Sequence, residues 1–225
     1  RVRDPAARVR ELTCERRHAQ SAVRRLGQPH EDLVLAERQP GVSLELLAER
    51  LGEHFADVPL VHLVSSPLQR AQETIAPIAA AHPDLEVQID DRVIEAANVF
   101  EGRSFGKRNE ILLRPSSWWA LRNPLRPSWG ESYTSILARM RTALVDAASH
   151  AVGGEALVLS HELPIWMARS WAEGRSLVHD PRRRQTRLAS VTTFTFSGTH
   201  LVRVDYTEPC ADLVPVKSKK FRPGA

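Results

Sequence analysis

The stretch LVHLVSSPLQRAQETIAPI (residues 60–78) decides the fold class of this chain. It opens with an apolar run that ends in two serines, as a buried parallel strand does where it emerges at its carboxyl end. Pro67 follows, and proline is tolerated in the first turn of a helix. Apolar residues then recur at helical spacing, at Leu68, Ala71, Ile75 and Ile78. The stretch therefore predicts a buried strand that leads directly into an amphipathic helix.

A second stretch repeats this strand-to-helix pattern. ALVLSHELP (156–164) is an apolar run that ends in polar residues, before a helix predicted at 164–173. Alternating strands and helices predict an α/β fold with a mostly parallel sheet. In open α/β sheets, ligands bind at the carboxyl ends of the strands. The two predicted strand ends place Arg70 and His161 there.

Other segments extend this pattern. Residues 43–55 and 136–147 carry apolar residues at helical spacing, and residues 189–206 alternate and turn like a β-hairpin. No linker or repeat divides the chain, so we predict a single domain over residues 1–225. Residues 1–30 form an atypical N-terminal segment without a clear period. Within it, both ELTCER (11–16) and AQSAV (19–23) look too polar for a central parallel strand.

The apolar runs, the first residues and the cysteines of the sequence bear on the cellular compartment of the protein. No apolar run approaches the about 20 residues that cross a bilayer. The first residues, RVRDPAARVRE, are charged and lack the apolar core of a secretory signal. Cys14 and Cys210 are far apart and fit no metal-ligand spacing, so we expect neither a disulfide framework nor a metal site. A cytoplasmic protein is the simplest interpretation, with no membrane partner.

The formal net charge of +4 has local clusters at Arg182-Arg183-Arg184 and in KSKKFR near the C-terminus. We interpret the first cluster as solvated surface, and the second as part of a basic tail at residues 216–225 that is predicted to be disordered. A nucleic-acid partner is therefore not predicted. A small phosphorylated substrate would also be drawn to a basic cleft. The sequence does not decide whether the protein forms a homodimer.

Three residues stand out as candidates for chemistry. His161 follows an apolar strand, although a histidine there can also fill a hydrogen-bonded niche in a core. Arg70 lies in the predicted first turn of a helix, where a cation is unfavourable unless a bound anion offsets it. Glu95 lies just past a predicted strand, where it is either a surface carboxylate or a proton donor.

These residues lie in segments that resemble the histidine phosphatase superfamily, also called the phosphoglycerate mutase-like family. SSPLQRAQET (65–74) is similar to that family's Ser-Ser-Pro-Leu-x-Arg-Ala-x-x-Thr signature. VLSHELPI (158–165), VIEAANVFEG (93–102) and PSWGESY (127–133) resemble other family segments, and longer phrases such as HDPRRRQTRLASVTTFTF look like an actinobacterial branch. The resemblance covers roughly residues 35–215 and implies a three-layer α/β/α sandwich.

The resemblance also implies a mechanism without a metal or cofactor. In the family a histidine attacks phosphorus in line and forms a phosphohistidine, which water or an acceptor hydroxyl then resolves. By the matching motifs, Arg70 is implied as a phosphate ligand, His161 as the second histidine, and Glu95 as the proton donor. A neutral imidazole is a competent nucleophile near pH 7, and a carboxyl group can protonate the leaving oxygen.

The position of the nucleophile has alternatives. RHAQS (17–21) matches the family's Arg-His-Ala motif, which makes His18 the nucleophile and Arg17 its phosphate-binding neighbour. RLGQPH (25–30) lies nearer the expected spacing but has Leu26 in place of the histidine. The site therefore contains His18 after an enlarged loop, or it contains Leu26, or a wrong start or frameshift has altered this stretch. We favour His18, because a five-residue match carries more information than a spacing.

The predicted function is a metal-independent phosphomonoester hydrolase that acts through a phosphohistidine on a small phosphorylated metabolite. A catalytically dead module that binds a phosphate ligand is the alternative from another class. A mutase is the alternative within the same chemistry. It forms the same phosphoenzyme but must keep water away from it until a second hydroxyl accepts the phosphoryl group.

Overall fold

A computed structural model of the chain describes residues 7–13, 43–96, 130–180 and 183–213. Within these ranges the strands are β1 (Ala7–Thr13), β2 (Leu60–Ser65), β3 (Val87–Ile89), β4 (Glu155–Ser160), β5 (Val191–Ser197) and β6 (His200–Thr207). The α-helices are α1 (Leu44–Phe55), α2 (Gln69–Ala81), α3 (Tyr133–His150) and α4 (Glu162–Ala172), and a 3-10 helix spans Asp91–Val93. None of these helices is both long and apolar enough to cross a lipid bilayer.

The strands form one sheet in the order β3-β2-β4-β1-β5-β6. The first four of these strands run parallel to one another, whereas β5 pairs antiparallel with β1 and β6 pairs antiparallel with β5. The prediction of a mostly parallel sheet is therefore confirmed. Strands β5 and β6 form the predicted hairpin, and its turn contains Gly198 at a φ of 55°, a left-handed conformation that glycine adopts at little cost.

Helices cover both faces of the sheet, which makes the fold the predicted three-layer sandwich. On one face, α3 and α4 pack against the sheet in a cluster that includes Met140, Leu144 and Phe194. On the other face, α1 and α2 form a second cluster that includes Leu51 and Phe55. Alternate residues of β4 belong to the two clusters, as the two-residue repeat of a strand buried on both faces requires.

Helices α1 and α2 lie against each other with a close approach at Gly52. A Cβ atom at position 52 would lie 3.0 Å from the Cβ of Pro77, so a larger residue would push the helices apart. Helix α2 begins at Gln69, later than the predicted start at Pro67. The reason is that Leu68 keeps an extended backbone with ψ 133°, and its N–H donates to Oγ of Ser66 at 3.4 Å.

The N-terminal segment departs most from the prediction. The prediction that ELTCER (11–16) is too polar for a central strand is wrong, because its first three residues belong to β1, which lies between β4 and β5. The stretch AQSAV (19–23) lies outside the described residues.

Two of the charged residues of β1 are compensated by a distant partner, because Arg8 donates to Glu155 at 3.2 Å and Arg10 also pairs with Glu155. Val9 and Leu12 fill the two cores with no exposed surface. The strand thus buries apolar residues on both faces and pairs its arginines at the amino end of the sheet.

Candidate active site

The register of the parallel strands brings their carboxyl ends to one edge of the sheet. Thr13 at the end of β1 pairs with Ser160 of β4, and Ser65 of β2 pairs with Leu159 of β4. The residues that follow these ends are therefore neighbours. Ser66 continues from β2 and His161 continues from β4, and both are fully buried.

His161 connects β2, α2 and β4 through its ring. Its Nδ1 lies 3.3 Å from Nη2 of Arg70, and its Nε2 lies 2.8 Å from Oγ of Ser66. A guanidinium can only donate, so Nδ1 accepts and the ring proton is assigned to Nε2, which donates to the serine. The structure thus brings together Arg70 and His161, two of the predicted site residues.

Arg70 is the second residue of α2, and the first turn of this helix contains no acidic side chain. The amino end of a helix carries free N–H groups and a partial positive charge, and both favour an anion. A guanidinium adds a planar pair of donors that fits two oxygens of a phosphoryl group. This end of α2 therefore has the donors that a phosphoryl group needs.

Glu95 follows the 3-10 helix, which is tied to the sheet where β4 ends. Oγ of Ser160 donates to the carbonyl of Val93 at 2.8 Å, and the Glu95 carboxylate accepts the N–H of Ala96 at 2.9 Å. Burial raises the pKa of Glu95 above its ordinary value, whereas the Ala96 N–H and the charge of Arg70 lower it. Glu95 is thus within electrostatic reach of Arg70, and its pKa is shifted in the direction that a proton donor needs.

Sequence reasoning missed two residues beside this site, Glu162 and Arg184. Glu162 begins α4 directly after His161, and its charge also raises the pKa of Glu95. Arg184 belongs to the arginine cluster that was interpreted as solvated surface, yet only 16% of its side chain is exposed. The signal available in the sequence was the position of Glu162 next to the site histidine. Nothing local distinguishes Arg184 from its neighbours.

A cavity of about 260 Å³ lies beside Arg70, between the carboxyl end of β1 and helices α1 and α2, and its lining includes Thr13 and Thr74. The chain that follows β1 leads to the predicted nucleophile segment. Arg17, His18 and Leu26 lie outside the described residues, so the choice between His18 and Leu26 stays a prediction. In the described ranges no three His, Cys, Asp or Glu side chains group as metal ligands would.

Comparisons with known proteins agree on one family. The sequence profile of the histidine phosphatase superfamily (branch 1) matches residues 16–208. An uncharacterized protein of Mycobacterium tuberculosis strain H37Rv is 47% identical over 182 residues, which cover 79% of this chain and 90% of that protein.

Two solved structures share the fold. A mycobacterial glucosyl-3-phosphoglycerate phosphatase superposes with a TM-score of 0.60 at 19% identity, over 89% of this chain and 97% of that one. The α-ribazole phosphatase of Shigella flexneri superposes with a TM-score of 0.61 at 17% identity, over 94% of this chain and 100% of that one. With a family profile that spans most of its length, the chain belongs to branch 1 of the histidine phosphatase superfamily, whose members are phosphatases or mutases.

Proposed function

We propose that this protein is a metal-independent phosphomonoester hydrolase that acts through a phosphohistidine on a small phosphorylated metabolite. The observation that carries the proposal is the contact between Arg70 and His161 at the amino end of α2, with Glu95 in electrostatic reach of Arg70. Together they supply two phosphoryl-binding groups and one proton donor, which are the groups that phosphoryl transfer to a histidine needs apart from the nucleophile.

The first half-reaction forms the phosphohistidine. A neutral imidazole nitrogen of His18 attacks phosphorus, a nitrogen–phosphorus bond forms, and the bond from phosphorus to the alcohol oxygen breaks. The carboxyl group of Glu95 gives its proton to the leaving oxygen, so the alcohol departs neutral. Arg70 and His161 hold the phosphoryl oxygens in place and stabilise the charge on them in the transition state.

The second half-reaction regenerates the enzyme. A water molecule attacks the phosphohistidine, and the Glu95 carboxylate accepts a proton from it. The nitrogen–phosphorus bond then breaks, inorganic phosphate leaves, and both His18 and Glu95 return to their starting states. The raised pKa of Glu95 suits both steps, because a group poised nearer to neutral pH can donate and accept in turn.

A non-catalytic phosphate-binding module is the second candidate, and Leu26 in RLGQPH favours it. Leucine has no lone pair and cannot act as the nucleophile. Arg70 and His161 would still bind a phosphate group in such a protein. The two candidates therefore agree on phosphate binding and differ only in covalent chemistry.

One experiment separates the candidates. The full chain is incubated with a panel of phosphomonoesters that includes p-nitrophenyl phosphate, with and without EDTA, and is then quenched in acid or base. A hydrolase is expected to turn over at an EDTA-independent rate and to carry an acid-labile, base-stable phosphoryl group on His18.

A matched pair of variants completes the test. His18→Ala should lose the label and the turnover, whereas His200→Ala, at an exposed position in β6, should keep both. Full activity in His18→Ala would refute the assignment of His18. A wild-type chain that binds inorganic phosphate without label or turnover would favour the binding module.

A further inference from the structure

The backbone just before Glu95 is held by side chains from two other elements. Nη1 of Arg139 in α3 donates to the carbonyl of Arg92 at 2.6 Å. Oγ of Ser160, at the end of β4, donates to the carbonyl of Val93 at 2.8 Å. The Val93 side chain is fully buried in the core cluster that α3 covers. Two consecutive carbonyl groups of the 3-10 helix are thus fixed from two sides.

Arg139 is held in turn by a bidentate ion pair with Glu131. Its Nε donates to Oε1 of Glu131 at 3.0 Å, and its Nη2 donates to Oε2 at 2.9 Å. The two side chains are only 16% and 21% exposed, so water and salt screen the pair weakly. A guanidinium is planar, and fixing two of its nitrogens also fixes the direction of the third. The Glu131–Arg139 pair therefore aims Nη1 at the Arg92 carbonyl.

The Glu95 carboxylate depends on this backbone for its position. Among the described residues its one hydrogen bond is to the N–H of Ala96, the next residue in the chain. Such a local bond does not tie the carboxylate to the sheet, so the carboxylate moves with the backbone that carries it. A proton donor must lie within about 2.6–3.2 Å of the oxygen that it protonates. A displacement of about 1 Å can slow a reaction roughly 10²-fold.

We propose that Arg139, oriented by Glu131, is a positioning residue that sets the distance from Glu95 to the leaving oxygen. The inference rests on the proposed function, in which Glu95 protonates that oxygen. Ser160 directly precedes His161 in the chain, so its bond to the 3-10 helix aligns that helix with the phosphoryl-binding edge. Arg139 adds a second anchor from α3, and it acts on the reaction only through Glu95.

The loss on removing Arg139 is expected to be partial, because one more link joins the 3-10 helix to α3. Nη2 of Arg92 lies 2.7 Å from Oδ2 of Asp146, but these side chains are 38% and 49% exposed. Exposed ion pairs hold weakly, so this link remains in the variants without replacing the anchor. We therefore expect a roughly 10- to 100-fold effect, smaller than the removal of the proton donor itself would give.

The test compares kcat/KM of the full chain for benzyl phosphate and p-nitrophenyl phosphate. The two esters are similar in size, but the benzyl oxygen needs a proton to leave, whereas nitrophenolate leaves without one. kcat/KM includes only the steps up to release of the alcohol, so the later attack of water does not enter it. Arg139→Met should lower the value for benzyl phosphate by roughly 10- to 100-fold and that for p-nitrophenyl phosphate by less than about threefold. A merely structural role would lower both values alike.

Three further variants test whether Arg139 acts through Glu95. Arg141→Met removes the same charge from an exposed position of α3 and should keep the wild-type ratio of the two values. Glu131→Gln keeps the size of the side chain but weakens the bidentate pair, so it should shift the ratio in the same direction by less. In a Glu95→Gln background, Arg139→Met should change the ratio no further, because effects that act through one group are not additive.

The possible failures are distinguishable. A wild type that turns over neither ester refutes the proposed function, and the positioning role falls with it. Equal losses for both esters in Arg139→Met, or a further change of the ratio in the Glu95→Gln background, overturn only the positioning role. Inorganic phosphate should bind Arg139→Met within about threefold of wild type in calorimetry, and a larger loss would also overturn the role as a general disturbance of the site. Circular dichroism checks that each variant is folded, and Glu131→Gln carries the test if Arg139→Met is not.

Discussion

Replacing Glu11 tests the most unusual burial in the sheet. Glu11 lies in β1 opposite Val158 of β4 and Thr192 of β5, and it is fully buried. Neither carboxylate oxygen has a hydrogen-bond partner among the described residues. Burial alone raises the pKa of Glu11 from 4.5 to about 8. At about 1.4 kcal/mol per pH unit, ionising Glu11 in the folded chain costs up to about 5 kcal/mol.

The sign of the pH dependence follows from linkage. The folded chain keeps a proton that the unfolded chain releases above about pH 4.5, so this group favours folding most at low pH. The free energy of unfolding should fall as the pH rises and reach its floor above about pH 8. By pH 7 roughly 3 kcal/mol is already lost, a large share of the about 5–15 kcal/mol that stabilises a typical domain.

Urea unfolding from pH 5 to pH 8.5 measures this contribution. Glu11→Gln should remove most of the decline that wild type shows. Glu11→Leu should also be more stable than wild type at every pH, because it removes the two buried carboxylate oxygens that have no hydrogen-bond partner among the described residues. Glu53→Gln is the control, since 76% of the Glu53 side chain is exposed. Glu95 titrates in all of these proteins, so the difference from wild type isolates Glu11. A Glu11→Gln protein that declines as steeply as wild type would refute the reasoning.

Three further outcomes are expected. Arg70→Lys should weaken the binding of inorganic phosphate, measured by calorimetry, by roughly tenfold or about 1.4 kcal/mol. This loss is nearly as large as for Arg70→Ala, because an ammonium group cannot form the bidentate pair. Wild-type affinity in the lysine variant would contradict this. Glu95→Gln should slow turnover of alkyl phosphates by roughly 10²–10⁴-fold but that of p-nitrophenyl phosphate much less, since nitrophenolate leaves without a proton; equal losses would exclude Glu95 as proton donor. If wild type is inactive because Leu26 fills the site, Leu26→His should restore measurable phosphatase activity, and an inactive Leu26→His protein would count against that explanation.

The features that were predictable from the sequence are those that local periodicity encodes. The strand and helix around Ser65 and the pair around His161 were predicted because a buried parallel strand and an amphipathic helix each leave a pattern within ten to twenty residues. The hairpin of β5 and β6 and the buried stripe of α3 were predicted for the same reason. The contact between Arg70 and His161 then follows from sheet topology, because parallel strands end at one edge.

The features that were missed depend on partners far away in the chain. β1 looked too polar because the residue that compensates its arginines, Glu155, is 147 positions from Arg8 in the chain. Arg184 looked like solvated surface because its burial depends on His179 and on Arg169, which holds the neighbouring carbonyl. No window of local sequence contains these pairings. The identity of the nucleophile belongs to a segment outside the described residues, so it stays a prediction from the motif.

The central place of β1 has a consequence for how the chain folds during synthesis. β1 is translated before every other strand of the sheet, yet its two partners are β4 and β5, at residues 155–160 and 191–197. At about 5–20 residues per second, the ribosome needs on the order of ten seconds or more to supply them. During that time the strand has unpaired backbone on both sides, which is the condition for misassembly with other nascent chains. The native sheet has a high contact order for the same reason, and its closure should be the slow step of folding.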